Sequence, residues 1–393
     1  MKKRYMLLII LPFFGMGLMM PVQSLFLMEH GTNLQSLGLY TAVYAATVII
    51  MEIPSGIFAD TYGRKRSFIF SCLFGIIGCF IMLPSNSLLP ILIGGALMGL
   101  SAAFSSGSID AMAIEDTLSE SDSQNLPRTV SSCTICQSLG TAAGSLCGGS
   151  LPKENRYELF LFFRIVILLL SIFIASLTLK EGKHPHEEYK TSLRNHLNSI
   201  KSCIRESISL RRIFGIIFVL AVQQVTIENY WQPQLYISVQ KISQPLLGAL
   251  CTGAWICTMG GGWVSGHGKL SKHKCEKVSI IFALLETILT AMLSFSWNIS
   301  SFILFYLLYY LFLGLIDIPE QTILNSETSD SIRASMLSMV SFTARIGGLT
   351  GSITSSFILT KINISELWRL TAVITIAAII WVIFLKEKFS CHS

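Results

Sequence analysis

Gly56-Ile57-Phe58-Ala59-Asp60-Thr61-Tyr62-Gly63-Arg64-Lys65-Arg66 is a short, charged turn marked by glycines. It lies between two long apolar runs, residues 37–59 and 67–84, that are almost free of charge. Charges are costly in hydrocarbon, so a turn with four of them between such runs belongs at a membrane surface. Basic residues concentrate in cytoplasmic loops, and Arg64, Lys65 and Arg66 put that surface on the cytoplasmic side.

Composition agrees with a membrane setting. The chain is 52% hydrophobic and only 13% charged, where a soluble domain carries roughly a quarter charged residues. The apolar runs are too long for buried core helices, which makes the chain a polytopic helical membrane protein surrounded by a lipid bilayer. The net charge of +6 reads as topology and not as a nucleic-acid surface, because the basic residues gather in short loops on one side. The ten cysteines form no disulfide framework. Cys72, Cys79, Cys133, Cys136, Cys147, Cys251 and Cys257 lie inside apolar segments, where cysteine behaves as a small hydrophobe. Cys133 and Cys136 form a C-x-x-C in a spanning segment with no histidine nearby, so no metal or redox site is expected there. The N-terminal run from Lys2-Lys3-Arg4 to Met28 is too long for a signal peptide and lacks a small-residue cleavage site, so it reads as an uncleaved first helix.

A spanning helix needs about 20 apolar residues. Twelve segments meet the pattern: 5–28, 37–59, 67–84, 88–115, 129–151, 157–179, 213–238, 246–266, 278–296, 301–325, 334–359 and 367–385. One long hydrophilic stretch, 180–212, separates the sixth from the seventh, and Tyr189 to Leu210 within it has the pattern of an amphipathic surface helix. The expected organisation is a six-helix bundle over 1–180, a cytoplasmic linker over 181–212 and a second bundle over 213–393. With the N-terminus inside, the outer loops receive only Lys153, Arg156, Lys241, Lys361 and Arg369. Both termini are therefore expected on the cytoplasmic face of the inner membrane.

The halves repeat each other. Gly107-Ser108-Ile109-Asp110 matches Gly314-Leu315-Ile316-Asp317 at an offset of 207 residues. An acidic loop and one arginine, Arg128 or Arg333, follow each copy. A glycine-spaced helix comes next: Gly140, Gly144 and Gly148 in one half, Gly347, Gly348 and Gly351 in the other. Gly56 matches Gly262 at an offset of 206, where Gly266 stands in place of Asp60 while Gly268 and Lys269 continue the pattern. Two landmarks at nearly one offset argue for duplication of a six-helix unit.

The spacing G-x-x-x-D-x-x-G-R-K, formed by Gly56, Asp60, Gly63, Arg64 and Lys65, resembles the loop between helices 2 and 3 of major facilitator superfamily transporters. The resemblance covers the whole chain in layout and is specific in this loop. It implies an all-α fold of twelve transmembrane helices in two six-helix repeats. In that family the loop aspartate faces the start of helix 11, and the loop arginine reaches an acid near the inner end of helix 4. Carried over, Asp60 sits against the start of segment 11 near Ala334, and Arg64 pairs with Asp110, as a lock on the cytoplasmic side. Gly140, Gly144, Gly148 and Gly149, then Pro152, partly resemble the glycine-rich helix 5 of drug–proton antiporters. Close helix packing through small-x-x-x-small spacing explains them equally well.

Ionisable residues inside spanning helices are functional hypotheses by default. Gln224, Glu228 and Trp231 share one face of segment 7 at i, i+4 and i+7, and Pro233 is expected to break that helix. Amide, acid and aromatic ring on one face suit a site for amphipathic or cationic compounds. Hydration in the outer interface is the alternative for Glu228. Asp317 and Glu320, with Pro319 between them, suit proton loading in segment 10. The alternative is packing against a cation, for which Arg345 is the candidate. Glu52 is either a proton or substrate contact or a local hydrogen-bond partner for backbone freed by Pro54. Arg164 and Glu286 stand isolated in segments 6 and 9, where a pair or a cavity lining is equally open.

No Walker loop, histidine cluster or nucleophile–base pair is present in the sequence, so neither an enzyme nor a cofactor is expected. The expected function is a proton-coupled secondary transporter, a monomer working by alternating access on a small-molecule substrate, and exporting a drug-like compound or secreted metabolite. An importer of a small nutrient on the same fold and a non-transporting receptor or assembly protein are the alternatives.

Overall fold

The computed structural model describes residues 2–106, 108–119, 126–150, 157–179, 202–238, 243–267, 272–296, 298–328 and 333–384. Among them no strand is present. Two compact units divide the chain. Unit 1 comprises Met1–His186 with Gln240–Thr252, and unit 2 comprises Glu187–Val239 with Gly253–Ser393.

Unit 1 contains α1 (Lys3–Met19), α2 (Gln23–Glu29), α3 (Leu34–Tyr62), α4 (Arg64–Met82), α5 (Leu88–Ser105), α6 (Ile109–Ser119), α7 (Leu126–Ser150) and α8 (Glu158–Thr178). Unit 2 contains α9 (Ile208–Ser238), α11 (Lys272–Ser294), α12 (Ile299–Glu327), α13 (Arg333–Ile358) and α14 (Ile364–Ile383). Helix α10 (Gln244–His267) begins in unit 1, where Gly248 meets Gly149 of α7 backbone to backbone and the Thr252 hydroxyl donates to the Ala142 carbonyl at 3.1 Å.

Among the described residues nine helices are long and apolar enough to cross a membrane, or ten if the bent pair α1–α2 is one span. The two remaining long segments are α7 and α13. Twelve of the 25 residues of α7 and twelve of the 26 of α13 are Gly, Ser or Thr. Small residues trade apolarity for close approach. A side chain at Gly140 would meet the Ile10 carbonyl at 2.7 Å, and one at Gly144 or Gly148 would strike the Phe14 or Leu18 carbonyl of α1. In unit 2, Gly347 and Gly351 lie likewise against the Phe218 and Val222 carbonyls of α9, both at 2.6 Å. Other pairings also recur: α4 on α5 and α8, and α1 on α8, correspond to α11 on α12 and α14, and α9 on α14. Internal duplication is thus visible in the packing of each unit.

Several expected boundaries shift. Segment 5–28 is two helices bent by 54°, because Pro21 cannot continue the α1 hydrogen-bond ladder. Segment 88–115 is interrupted after Ser105 and resumes at Ile109. The linker stretch contributes its last residues to α9, which starts at Ile208 and so includes Arg211 and Arg212. Residues 180–201, Gly107 and Pro152 lie outside the described residues. Pro233 does not break its helix: α9 runs through it to Ser238, as prolines in spanning helices can when neighbours re-satisfy the backbone. Pro54 and Pro319 are likewise inside α3 and α12.

Candidate functional site

In unit 1 the opening turn joins α3 to α4 through Gly63 alone. That residue caps both helices at φ +103°, and its N–H donates to the Ala59 carbonyl at 3.0 Å. The left-handed region is where glycine costs least, which accounts for the second glycine of the motif. Gly56 has no neighbouring atom within 4 Å of where a Cβ would stand. Asp60 is exposed, its side chain 73% accessible.

The acid that Arg64 bonds is Glu115, five residues beyond the expected Asp110. Arg64 Nε and Nη2 both reach Glu115 Oε1 at 2.7 Å, and Asp60 lies at 3.7 Å from Nη2. Asp110 instead accepts from Gln137 Nε2 of α7 at 2.6 Å and from the Cys133 thiol. On α6 the next residue, Asp116, gathers Lys2 Nζ, Arg4 Nη2 and the Tyr5 hydroxyl, all at 2.8 Å. Lys65 Nζ donates to the Ser176 and Leu179 carbonyls at the end of α8, at 3.0 and 2.7 Å, where the helix dipole favours a cation. These contacts tie the first turns of α1 and α4 to α6 and α8. Ala334, the expected neighbour of Asp60, has no described side chain.

Unit 2 carries a related clamp. Arg212 Nη1 pairs with Glu276 at 2.6 Å while Nη2 donates to the Ile383 carbonyl at the end of α14, at 2.9 Å. Arg4 in unit 1 pairs with Asp116 and donates to the Thr178 carbonyl at the end of α8, at 3.4 Å. Arg4 and Arg212 stand 208 positions apart, close to the offset of the sequence repeat.

The buried acids of unit 2 converge on α11 and α12. Glu286 of α11 is fully buried. The polar group beside its carboxyl is the hydroxyl of Tyr309 on α12, which is also fully buried. Glu320 of α12 has the Ser279 hydroxyl of α11 beside its carboxyl, with Asp317 and Glu286 as the neighbouring acids. Asp317 is exposed and accepts both hydrogen bonds of Gln321 Nε2 at 3.0 Å. Arg345, expected as the cationic partner of Asp317 and Glu320, is on α13, and the partner seen for Asp317 is an amide on its own helix.

On α9, Glu228 is exposed and accepts from Gln224 Nε2 at 2.8 Å. Trp231 does not join them on that open face. It is 3% accessible and packs on Tyr306, ring centroids 5.0 Å apart. The rings continue through Tyr310, 5.0 Å from Tyr306 and 5.2 Å from Tyr309. The ring beside the acids is therefore supplied by Tyr309 and Tyr310, in the run Tyr306-Leu307-Leu308-Tyr309-Tyr310, and tyrosines at that spacing were the available signal. Glu52 is half-buried, and the Ser55 hydroxyl donates to its carbonyl at 3.1 Å. Arg164 points its Nη1 at Met19 Sδ, 3.1 Å away, and its Nε is buried without a partner. Among the described residues no group of three or more His, Cys, Asp and Glu side chains is placed to hold a metal ion.

Long apolar helices in two repeats, glycine-packed and carrying buried acids, define a multi-pass membrane protein of the two-repeat transporter class. The chain belongs to the Major Facilitator Superfamily, whose family model matches residues 5–308. It is 28% identical over 232 residues to the uncharacterized MFS-type transporter YxaM of Bacillus subtilis (strain 168), a match spanning 56% of this chain and 55% of that one. It is 26% identical to multidrug resistance protein 1 of the same organism over 44% of each chain. It is 23% identical to the class E tetracycline resistance protein of Escherichia coli over 75% of this chain and 73% of that one. Among solved structures, the nucleoside transporter NupG superposes with TM-score 0.78 over 98% of this chain and 99% of that one, at 15% identity. That likeness is one of fold.

Proposed function

We propose that this protein is a proton-coupled secondary transporter that works by alternating access and exports a drug-like compound or secreted metabolite. Glu286 carries the reading. An ionised carboxylate fully buried inside an apolar bundle, with one tyrosine hydroxyl beside it and no cation paired to it, is expensive. Adding or removing one proton there changes the energy of its surroundings by enough to bias a two-state transition. Glu228, exposed on α9 and held by Gln224, is the acid placed to meet a ligand. The Asp60–Arg64–Glu115 network at the opening turn is the gate, on the cytoplasmic side by the distribution of Lys and Arg. The names of the multidrug and tetracycline resistance relatives support export.

The test uses inverted membrane vesicles energised to an acid interior and challenged with a panel of cationic, neutral and anionic drug-like compounds. Export by exchange predicts that a compound releases protons from wild-type vesicles, and that Glu286→Gln abolishes this release while retaining compound exchange in the absence of a gradient. Solute moving together with protons would replace the exporter with an importer. No proton movement with any compound would end the drug-export reading for those three classes.

A further inference from the structure

Arg164 is a permanent cation inside a spanning helix of unit 1. It stands in the row Leu161, Arg164, Leu168, Ser171 and Ala175 of α8, spaced by three and four, whose other members are buried. Positions so spaced share one face, so the side chain leaves α8 toward the bundle and not toward lipid. Its stem crosses α1 at Gly15, where a Cβ would stand 3.6 Å from Arg164 Cγ. Its head reaches the end of α1, where Nη1 donates to Met19 Sδ at 3.1 Å. Its charge also reaches the Tyr40 hydroxyl on α3 and the Cys72 and Cys79 thiols on α4.

These neighbours do not neutralise it. Tyrosine hydroxyls and cysteine thiols are uncharged at neutral pH, and a thioether is a weak acceptor. Nε is buried with no partner. Among the described residues the ion pairs of unit 1 leave Arg164 out. The acids at this end of the unit, Glu29 and Glu158, act on each other and on His30, whose Nε2 lies 3.5 Å from Glu158. A buried acid escapes an apolar setting by taking up a proton. Arginine has no such exit, because it stays charged at any physiological pH. A head that only snorkelled would sit in water, whereas this one keeps Nε buried among side chains. An unpaired charge in that position is costly, and an incoming anion removes the cost.

We infer that Arg164 anchors an anion subsite in unit 1, which takes the carboxylate or phosphate of an amphipathic organic compound. Met19 occupies Nη1, which leaves the edge formed by Nε and Nη2. Guanidinium edges bind carboxylate and phosphate through two parallel N–H···O bonds. Met19 is unbranched and adaptable, and it withdraws as the anion enters. The inference deepens the transport reading, on which it rests for taking the compound as substrate: that substrate carries an acid group. The phosphate of an anionic lipid offers the same chemistry, and the test separates the two sources.

Isothermal titration calorimetry is carried out on the full-length protein in phosphatidylcholine nanodiscs at neutral pH, with no gradient. The probes are 2-naphthoate, 2-naphthyl phosphate and the uncharged 2-naphthamide. Wild type is expected to bind the anions at least about tenfold more tightly than the amide, the equivalent of one charge-assisted hydrogen bond. Arg164→Gln erases that preference and leaves naphthamide binding unchanged. Arg164→Lys, which keeps a point charge without the fork, retains part of it. Phosphatidylglycerol added to the nanodiscs weakens naphthoate binding where lipid phosphate shares the subsite, and leaves it unchanged where the subsite takes only the soluble compound.

Equal binding of naphthoate and naphthamide by wild type, or an anion preference that survives Arg164→Gln, would overturn the subsite. So would wild type that binds neither anion. Glu154, four residues before the start of α8, lies outside the described residues. Coupling between Arg164→Gln and Glu154→Gln in thermal unfolding would show the guanidinium already paired within the chain, and would also overturn it. Glu286→Gln is expected to retain the anion preference, so a failure of proton coupling leaves the subsite standing. Loss of the subsite, in turn, leaves proton release by cationic compounds in the vesicle experiment untouched.

Discussion

Arg64 clasps Glu115 with two nitrogens on one oxygen, Nε and Nη2 each 2.7 Å from Oε1. The guanidinium side chain is only 20% accessible, so the pair is better shielded than a surface ion pair and holds α4 to α6. Glu115→Gln is expected to cost about 1 kcal/mol of stability. Asp110→Asn acts instead on the Gln137 contact to α7. A double-mutant cycle of Arg64→Ala with each acid variant in thermal unfolding checks this. Coupling is expected with Glu115→Gln. Coupling found only with Asp110→Asn would return the pair to the position that the family resemblance implies.

The two glycines of the opening turn differ in what they tolerate. Gly63 sits at φ +103°, and Gly63→Ala is expected to cost about 1–2 kcal/mol from the left-handed backbone alone. Gly56 is helical and faces open space within its unit. Gly56→Ala is expected to stabilise the folded unit by roughly 0.5–1 kcal/mol through helix propensity. Unfolding of the two variants side by side decides it. A large loss at position 56 would mean that this face is covered in a second conformation.

The glycine stripe of α7 is set by sterics. A Cβ at Gly144 would strike the Phe14 carbonyl of α1, and one at Gly17 would strike the Thr141 carbonyl of α7. Because these obstacles are backbone, no rotamer change relieves them. Gly144→Val is therefore expected to abolish folded protein in the membrane fraction, whereas Gly348→Val, with nothing within 4 Å in unit 2, leaves expression near wild type. Size-exclusion profiles of the two variants provide the comparison.

Apolar run length and loop charge are properties of the chain alone, and they mark the strongly apolar spans; α7 and α13, rich in Gly, Ser and Thr, fall short of that apolarity among the described residues. What happens inside a segment is harder to read. Asp110 and Glu115 are five residues apart, about 140° around a helix, so the acid that meets Arg64 depends on the rotation of α6 after the break at Ser105. The break itself leaves no proline as a marker. Pro233 looks like a stop, yet the bundle keeps α9 intact. Glu286 is visible as a lone acid, but its meeting with Tyr309 is a fact of the antiparallel α11–α12 pairing and not of either helix. The Gln224–Glu228–Trp231 face fails for a related reason: i, i+4 and i+7 positions span an arc wide enough for one end to face open space while the other faces the core.

That last difference gives a separating experiment. Trp231 is packed on Tyr306, inside a line of rings that includes Phe302, Tyr310 and Trp368. Its removal leaves a cavity, and Trp231→Ala is expected to cost about 3–5 kcal/mol, while Trp231→Phe recovers most of that loss. Glu228 is exposed and accepts from Gln224 one turn away at 2.8 Å, so Glu228→Gln leaves unfolding within about 0.5 kcal/mol of wild type. The two variants should then divide cleanly. Trp231→Phe retains proton release by compounds in vesicles, because the ring supports the bundle and does not touch the ligand. Glu228→Gln retains the fold and loses release by cationic compounds first, since the attraction lost is that of a charge. If Trp231→Phe abolishes release in a protein of wild-type stability, the indole reaches the ligand in a conformation other than this one, and the aromatic face read from the sequence is restored.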